Sequence, residues 1–333
     1  MSKTICLLPG DGIGAEVISA AAEILAALDP GLTTETHPAG WGCFTETDSA
    51  LPQSTLAAVR RCRVALFGAT SSPSGGAPGY HSPILDLRQK LDLYANLRPA
   101  QSLPVPTSRA NIDVLIVREN TEGLYIRRER WKDADTAIAE RSITRAACRR
   151  IAREAARHAQ QRRGLLTIAH KANVLTLSDG LFREVVRETA ASHAPEITIE
   201  ERLVDALAHD LVRTPERFDV IVAPNLYGDI LSDLASALVG GLGVAPSANI
   251  GENHAVYEPV HGSAPDIAGK GIANPTAALL SLGMALSDLG HGAAAQHLRG
   301  ALTATLAAGI CTPDLGGTAT TAEMLAALRE RLL

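Results

Sequence analysis

A chain of 333 residues, 46% apolar and 20% charged, has the composition of an ordinary globular protein and is long enough for about two domains. A net charge of −5 and a pI near 6.1 exclude the basic character of a typical nucleic-acid-binding domain, so any anionic ligand must be held by a local cluster of arginines. The five cysteines (Cys6, Cys43, Cys62, Cys148, Cys311) are scattered, odd in number and without C-x-x-C spacing; they suggest neither a disulfide framework nor a zinc site, and they fit a reducing cytoplasm.

In chain order, Ile5 to Leu8 is a strand-like run that stops at Pro9-Gly10, too short for a signal peptide, and no apolar stretch is long enough to span a membrane. Gly10-Asp-Gly-Ile-Gly14 and an Ala-rich helix to about Leu28 follow, in a pattern that suits a dinucleotide fingerprint or a plain glycine-rich turn. Val64 to Phe67 is a second buried strand, delivering the small polar turn Gly68-Ala-Thr-Ser-Ser72 and a Ser/Gly/Pro-rich surface loop to Gly79. Arg88 lies in a helix-like pattern, while Arg98 and Arg118 end apolar segments. Each alone suits a surface ion pair, and together they suit a ligand with two or three carboxylates. Tyr125 closes the polar loop after Arg118, and 127–140 is a charged, poorly periodic arm. A helix over about 145–158 and the strand Leu165 to Ala169 lead to His170-Lys171-Ala-Asn173, where Lys171 is a candidate base or a snorkelling surface lysine. Strand-like runs at Ile197 to Ile199 and Leu203-Val204 end at Asp205.

The chain is organised around Asn225-Leu-Tyr-Gly-Asp-Ile-Leu-Ser-Asp233, which follows the apolar strand Val220 to Ala223. Asp229 and Asp233 are four residues apart and share a helix face. That spacing suits a helix cap with a solvated neighbour, or a hard divalent ion such as Mg²⁺ or Mn²⁺. A long Gly/Pro-punctuated segment from Tyr257 to Pro275 has few charges; its amides could surround a pyrophosphate, with Asp266 on a ribose hydroxyl and His261 on adenosine. Helices over about Thr276 to Asp288, Ala293 to Leu306 and Thr320 to Leu333 complete the chain. Strands alternating with Ala/Leu-rich helices predict an α/β protein with a largely parallel sheet, whose ligands bind beyond the strands' carboxyl ends. Thr70, Arg118, Lys171, Asp205 and Asp229 all follow apolar strands and so are placed along one such edge.

The motifs Gly10-Asp-Gly-Ile-Gly14, Leu87-Arg88 with Tyr94-Ala-Asn-Leu-Arg-Pro99, Arg118-Glu-Asn-Thr-Glu-Gly-Leu-Tyr125, His170-Lys-Ala-Asn173, Asn225 to Asp233 and Glu258-Pro-Val-His-Gly-Ser-Ala-Pro-Asp266 together resemble the β-decarboxylating dehydrogenases, collinearly over essentially the whole chain. The resemblance implies an isopropylmalate dehydrogenase-like fold rather than a standard Rossmann fold: two α/β domains with one large shared mixed sheet. Residues 1–99 with 252–333 form the cofactor-binding domain, and 100–251 the metal-binding and dimer-interface domain. It implies NAD on Thr70, Ser71, His261, Gly262, Ser263, Ala264, Asp266, Ile267 and Asn274. Asp266 stands where an acid would repel a 2′-phosphate. It implies a hydroxy-polycarboxylate substrate on Ser72, Arg88, Arg98, Arg118 and Asn173, a Mg²⁺ or Mn²⁺ ion on Asp205, Asp229 and Asp233, Lys171 as base and Tyr125 as proton donor. It also implies a homodimer in which Lys171 and Asp205 serve the partner's site, with pairing into tetramers left open. Ala208-His209-Asp210 departs from relatives that carry a Met-Gln-like pair there, which leaves the surroundings of Asp205 unassigned.

Substrate choice rests on Gly79-Tyr-His-Ser-Pro-Ile-Leu-Asp-Leu-Arg88, which is most similar to homoisocitrate dehydrogenases, as is Thr312 to Gly317. Leu85 points the other way: some homoisocitrate enzymes carry arginine there, and isopropylmalate enzymes carry leucine. His81 or Ser82 would then have to meet the distal carboxylate. Homoisocitrate ranks first, 3-isopropylmalate second and isocitrate third. A non-catalytic regulatory paralogue is the alternative of a different class, against which Tyr125, Lys171 and all three aspartates are present.

Overall fold

The computed structural model describes residues 3–28, 31–73 and 76–332. Two residues of the expected surface loop, Ser74 and Gly75, and the last residue of the expected final helix, Leu333, lie outside the described residues. In chain order the elements are β1 (Thr4–Gly10), α1 (Gly14–Leu28), β2 (Thr33–Thr36), α2 (Trp41–Thr47), α3 (Gln53–Cys62), β3 (Val64–Ala69), α4 (Pro83–Lys90), β4 (Ala95–Gln101), β5 (Asp113–Glu119), β6 (Glu129–Asp133) and β7 (Thr136–Ala139). They continue with α5 (Arg145–Gln160), β8 (Leu165–His170), α6 (Ser178–His193), β9 (Thr198–Leu203), α7 (Val204–Arg213), β10 (Val220–Ala223), α8 (Asn225–Leu238), β11 (Pro246–Ile250), β12 (Ala255–Pro259), α9 (Thr276–Asp288), α10 (Gly292–Ala307) and α11 (Thr321–Leu332). The fold is mixed α/β, as expected.

Two compact units divide the chain: residues 1–91, 102–110 and 239–333 form the first, and 92–101 with 111–238 the second. These limits differ from 99 and 251 because pairing decides membership. β4 lies antiparallel to β5 over seven registered pairs, which draws Arg98 into the second unit, and β11 pairs antiparallel with β12, which draws 246–250 into the first.

In the first unit the strand order is β2-β1-β3-β12-β11, parallel except at β11. β3 is buried at every residue, as a continuous apolar run covered on both faces should be. Because β1, β3 and β12 run parallel, Asp11, the Thr70 turn and the loop starting at Val260 leave the sheet at the same carboxyl edge. The second unit has the order β4-β5-β10-β8-β9, parallel from β5 onward. Arg118, Asn225, Lys171 and Asp205 therefore emerge from one edge of that unit. α5 buries Ala147, Ile151, Ala152, Ala155 and Ala156, the stripe a 3.6-residue period predicts, and keeps most of its charges outside that stripe, Glu154 being buried against Arg157 and His158.

Three local readings change. Residues 127–140 include the two-stranded ribbon β6–β7, whose side chains are almost all exposed, so no alternation of burial marked it in the sequence. Residues 198–203 form one strand, and Asp205 is the second residue of α7 rather than a strand end. α8 starts at Asn225, so Asp229 sits one turn inside the helix and does not cap it.

The glycine-rich turn after β1 is accounted for by backbone packing. A Cβ on Gly12, whose φ is +56°, would lie 2.0 Å from the Ser263 carbonyl oxygen, and one on Gly14 2.1 Å from the Pro9 oxygen. Ile13 N donates to the Ser263 carbonyl at 2.9 Å. Gly12 lets this turn lie directly against the Ser263 backbone, and Gly14 lets α1 start against Pro9 and Ala69, close approaches for which glycine is required.

Candidate active site

The second unit assembles its site from β4, β5 and α8. Asn96 and Arg98 lie two residues apart on β4 and so share a face, and Asn96 is the registered partner of Arg118. Three polar residues of a buried sheet thus converge. Arg98 is 9% and Arg118 1% exposed, so their charges must be paired where they lie. Arg98 Nε donates to Asn96 Oδ1 (2.7 Å), and its NH1 donates to Ser232 Oγ (2.8 Å) and Asp233 Oδ1 (3.0 Å). The same NH1 is 3.2 Å from Asp229 Oδ1. Arg118 donates through Nε (3.0 Å) and NH2 (2.8 Å) to Asn225 Oδ1, and through NH1 to Asp229. α8 approaches closely because Gly228 faces Arg118: a Cβ there would lie 2.7 Å from the arginine's Cβ and Cγ.

Tyr125, in a short 3₁₀ turn, donates its hydroxyl to Asp229 Oδ2 at 2.5 Å, with the Arg118 guanidinium carbon 5.0 Å from its ring centre. Burial and the bond to Asp229 push its pKa above the ordinary tyrosine value, so the hydroxyl stays a proton donor at neutral pH. Burial also raises Asp233, with the Asp229 charge adding to it against the opposing Arg98 and Arg118. Arg98, Arg118, Tyr125, Asp229 and Asp233 are therefore one network.

Lys171 and Asp205 make a second pair. Lys171 Nζ donates to Asp205 Oδ1 at 2.5 Å, and that bond holds the Asp205 carboxyl below its usual range. The Lys171 backbone N–H donates to Asp179 Oδ2 at 2.5 Å; fully buried Asp179 also accepts from Arg141, whose guanidinium lies 5.2 Å from the Tyr227 ring centre. Asn173 and the apolar Val174, Leu175 and Leu177 beyond it are exposed.

In the first unit Arg88 is 7% exposed on α4, with Nε on Asn249 Oδ1 (2.9 Å) and NH2 on Glu258 Oε1 (3.1 Å). Leu85, one turn earlier, is half-buried, His81 is exposed and Ser82 is intermediate, making no side-chain cap bond to α4. The expectation that an isolated arginine lies at the surface fails for all three arginines, because neighbouring elements supply buried acceptors.

The two expected cofactor segments meet within this unit. Ser71 Oγ is 2.8 Å from Ser263 Oγ, and the Ser71 backbone N–H donates to Asp11 Oδ2 at 2.8 Å. Asp11 also accepts from Trp41 N (2.7 Å) and Gly42 N (2.8 Å), so one carboxylate ties the Thr70–Ser72 turn to the start of α2. A cavity of about 260 Å³ is lined by Ile13, His261, Ala264, Ile267, Asn274 and Asp314 among others. His261 Nε2 is buried there without a hydrogen-bond partner, a polar atom left for a ligand, and burial lowers the imidazole's pKa so that it is neutral. Gly262 and Asp266 are exposed, Ser263 is buried, and Asn274 Nδ2 donates to Asp314 Oδ2 at 2.9 Å. Apolar walls, a neutral imidazole and an exposed acid fit an adenosine and its ribose. For a hard divalent ion the donor set also fits: carboxylate oxygens of Asp229 and Asp233 already gather around one cation, the Arg98 guanidinium.

Sequence reasoning missed Asn96, Asn225, Asn249, Glu258 and Asp11, which hold the arginines and the turn. All but Asn249 stood inside quoted motifs, but nothing local marks an asparagine as a guanidinium acceptor.

The family described as isocitrate/isopropylmalate dehydrogenase matches residues 4–328. The chain is 53% identical over 333 residues to an isocitrate/homoisocitrate dehydrogenase of Thermus thermophilus, covering 100% of this chain and 99% of the relative. It is 47% identical over 334 residues to a 3-isopropylmalate dehydrogenase of Methanothermobacter thermautotrophicus, covering 99% of each. Among solved structures, isocitrate dehydrogenase from Methylococcus capsulatus superposes with a TM-score of 0.93 at 41% identity, covering 100% of this chain and 99% of the other. A β-decarboxylating dehydrogenase from Thermococcus kodakarensis gives 0.87 at 41%, covering 100% and 96%. The chain belongs to the isocitrate/isopropylmalate dehydrogenase family and is an oxidatively decarboxylating dehydrogenase.

Proposed function

We propose that this enzyme oxidises and decarboxylates a 3-substituted malate with NAD and a divalent cation, homoisocitrate being the foremost substrate and 2-oxoadipate and CO₂ its products. The observation that supports the reading is the Arg98–Arg118–Asp229–Tyr125 network, two buried guanidinium groups against a half-buried carboxylate and phenol, residue types suited to binding carboxylates, holding a cation and donating a proton. When bound, Mg²⁺ or Mn²⁺ on Asp205, Asp229 and Asp233 polarises the substrate hydroxyl, and NAD on Thr70, Ser71, His261 to Ala264, Asp266, Ile267 and Asn274 accepts the hydride. Arg88, Arg98 and Arg118, with Ser72 and Asn173, orient the substrate. Lys171 takes the hydroxyl proton, and after CO₂ leaves, Tyr125 returns a proton to the resulting enol carbon.

A homodimer with shared sites fits the exposed Val174, Leu175, Leu177, Val212 and Ile230, and the ribbon bearing Trp131 at 73% exposure, apolar surface that a second copy would cover. A reducing, cytoplasmic setting fits the five buried free cysteines, and lysine biosynthesis is the setting that homoisocitrate as substrate implies.

Half-buried Leu85, one helical turn from Arg88, favours a second reading, 3-isopropylmalate in leucine biosynthesis. NADH formation with Mn²⁺, compared as kcat/KM across homoisocitrate, 3-isopropylmalate, isocitrate and D-malate, tests both. A lead for homoisocitrate means His81, Ser82 or another group meets the distal carboxylate; a lead for isopropylmalate makes Leu85 the specificity determinant.

A further inference from the structure

The strand order brings together thiol, imidazole and carboxylate donors that are dispersed in the sequence, at the β2 edge of the first unit. Cys6 on β1 is fully buried and is the registered partner of Glu35 on β2, so their side chains leave the sheet on one face. His37 is two residues beyond Glu35, and its backbone N–H donates to the Leu7 carbonyl at 2.9 Å, continuing the β1–β2 ladder. One ligand-capable atom each of Cys6, Glu35 and His37 lies within 4.8 Å of the other two. His37 Nε2 is 3.6 Å from Glu35 Oε1. Cys62, the last residue of α3 and 2% exposed, donates to the same Glu35 oxygen at 3.0 Å.

Tetrahedral zinc has metal–ligand distances of about 2.0–2.3 Å, which set its ligand atoms roughly 3.3–3.8 Å apart. The donor atoms of Cys6, Glu35 and His37, within 4.8 Å of one another, need to close by about 1–1.5 Å to reach such spacing, and Cys62 Sγ already lies 3.0 Å from Glu35 Oε1. We propose that Cys6, Glu35 and His37, with Cys62 as fourth donor, form a zinc site that staples the edge strand β2 to β1 and α3. Two sulfurs, one imidazole and one carboxylate are a borderline-soft set that selects zinc over Mg²⁺ or Mn²⁺, in contrast to the all-carboxylate group of Asp229 and Asp233. One cation now competes: Arg61 NH2 lies 2.5 Å from Glu35 Oε1. Its side chain is 62% exposed, so it can swing into solvent when the ion binds. β2 has four residues and, among the described strands, pairs only with β1. Free energy of ion binding at this edge adds directly to folding.

The test uses the full chain, stripped with chelator and titrated with Co²⁺. The expected result is a near-ultraviolet thiolate-to-cobalt charge-transfer band that saturates at one ion per chain, disappears on adding Zn²⁺, and persists in Asp229→Asn. Cys6→Ser lowers the band by about half or more, Cys6→Ser with Cys62→Ser abolishes it, and His37→Gln weakens Co²⁺ binding about tenfold. Zn²⁺ raises the melting midpoint of the wild-type chain but not that of the double variant. Absence of the band in the wild-type chain overturns the proposal whether or not the variants fold, and so does a band unchanged in Cys6→Ser and His37→Gln.

Discussion

Asn225 holds Arg118 in place with a single oxygen: its Oδ1 accepts from both Nε (3.0 Å) and NH2 (2.8 Å), while its own amide donates to the Glu122 carbonyl at 3.0 Å. All of this is buried, and the bonds fix the guanidinium plane that presents NH1 to Asp229. Hydrogen bonds to a buried charge are worth about 1.5–3 kcal/mol each. Asn225→Ala is expected to raise KM for the hydroxy acid by roughly tenfold to a hundredfold. Steady-state kinetics with the hydroxy acid varied at saturating NAD check it, since an Arg118 that needs no orientation would leave KM unchanged.

Gly228→Ala reverses the usual sign of a glycine substitution in a helix. Alanine normally stabilises a helix interior by about 1 kcal/mol, but the new Cβ would lie 2.7 Å from Arg118 Cβ and Cγ. Overpacking of this kind costs about 1–3 kcal/mol. Gly180 in α6 has open space where its Cβ would go, so Gly180→Ala is expected to raise the melting midpoint and Gly228→Ala to lower it. Thermal unfolding of the pair decides.

Tyr125→Phe removes the hydroxyl that meets Asp229 at 2.5 Å and keeps the ring. Loss of a positioned proton donor is expected to lower kcat by about 10²-fold or more with little change in KM. Burial and the bond to Asp229 hold the phenol above its ordinary value of 10. The donor form therefore persists as pH rises past 10, and any loss of kcat due to Tyr125 ionisation sets in only above that. A pH–rate profile to pH 10 that shows a tyrosine-dependent fall below 9 contradicts the role.

Asp11 accepts the backbone N–H groups of Trp41, Gly42 and Ser71 and so shapes the turn assigned to the cofactor. Asp11→Ala leaves three part-buried or exposed donors to water in place of their carboxylate and is expected to loosen the turn and weaken NADH binding by about tenfold, at about 0.5–1.5 kcal/mol per hydrogen bond lost. Fluorescence titration of NADH reads this directly.

Shared sites predict complementation. Lys171→Met and Asp229→Asn are each expected to be inactive. When the two are unfolded together and refolded, activity returns in part if Lys171 serves the partner's site. Activity that stays at the level of the separate variants places each site within one chain.

Much of this was legible in the sequence because it is local. An apolar run that gives way to polar residues marks a strand end, so Arg118, Lys171 and Asp229 could be placed at or beyond carboxyl ends; Arg118 proves to be the last residue but one of β5, and parallel pairing of β5, β10, β8 and β9 puts all three at one edge of the second unit. Asp229 and Asp233 lie one turn apart on α8, as their spacing required.

Sequence by itself thus determined the α/β class, the strands that deliver Arg118, Lys171 and Asp229, the family and the identity of the charged groups, though not the ribbon β6–β7 or the helix α7. Tertiary structure alone decided that Arg88, Arg98 and Arg118 are buried, because their acceptors Asn249, Ser232 and Asn225 lie 161, 134 and 107 residues away and meet them only through strand register and helix packing. It decided that the Gly10–Gly14 turn packs against the Ser263 backbone, a contact across 250 residues. It also gathered Cys6, Glu35, His37 and Cys62 into one cluster, though no spacing among them announces a metal site. Period and turn chemistry act within a few residues, whereas convergence depends on which strands become neighbours, and a linear pattern does not carry that information.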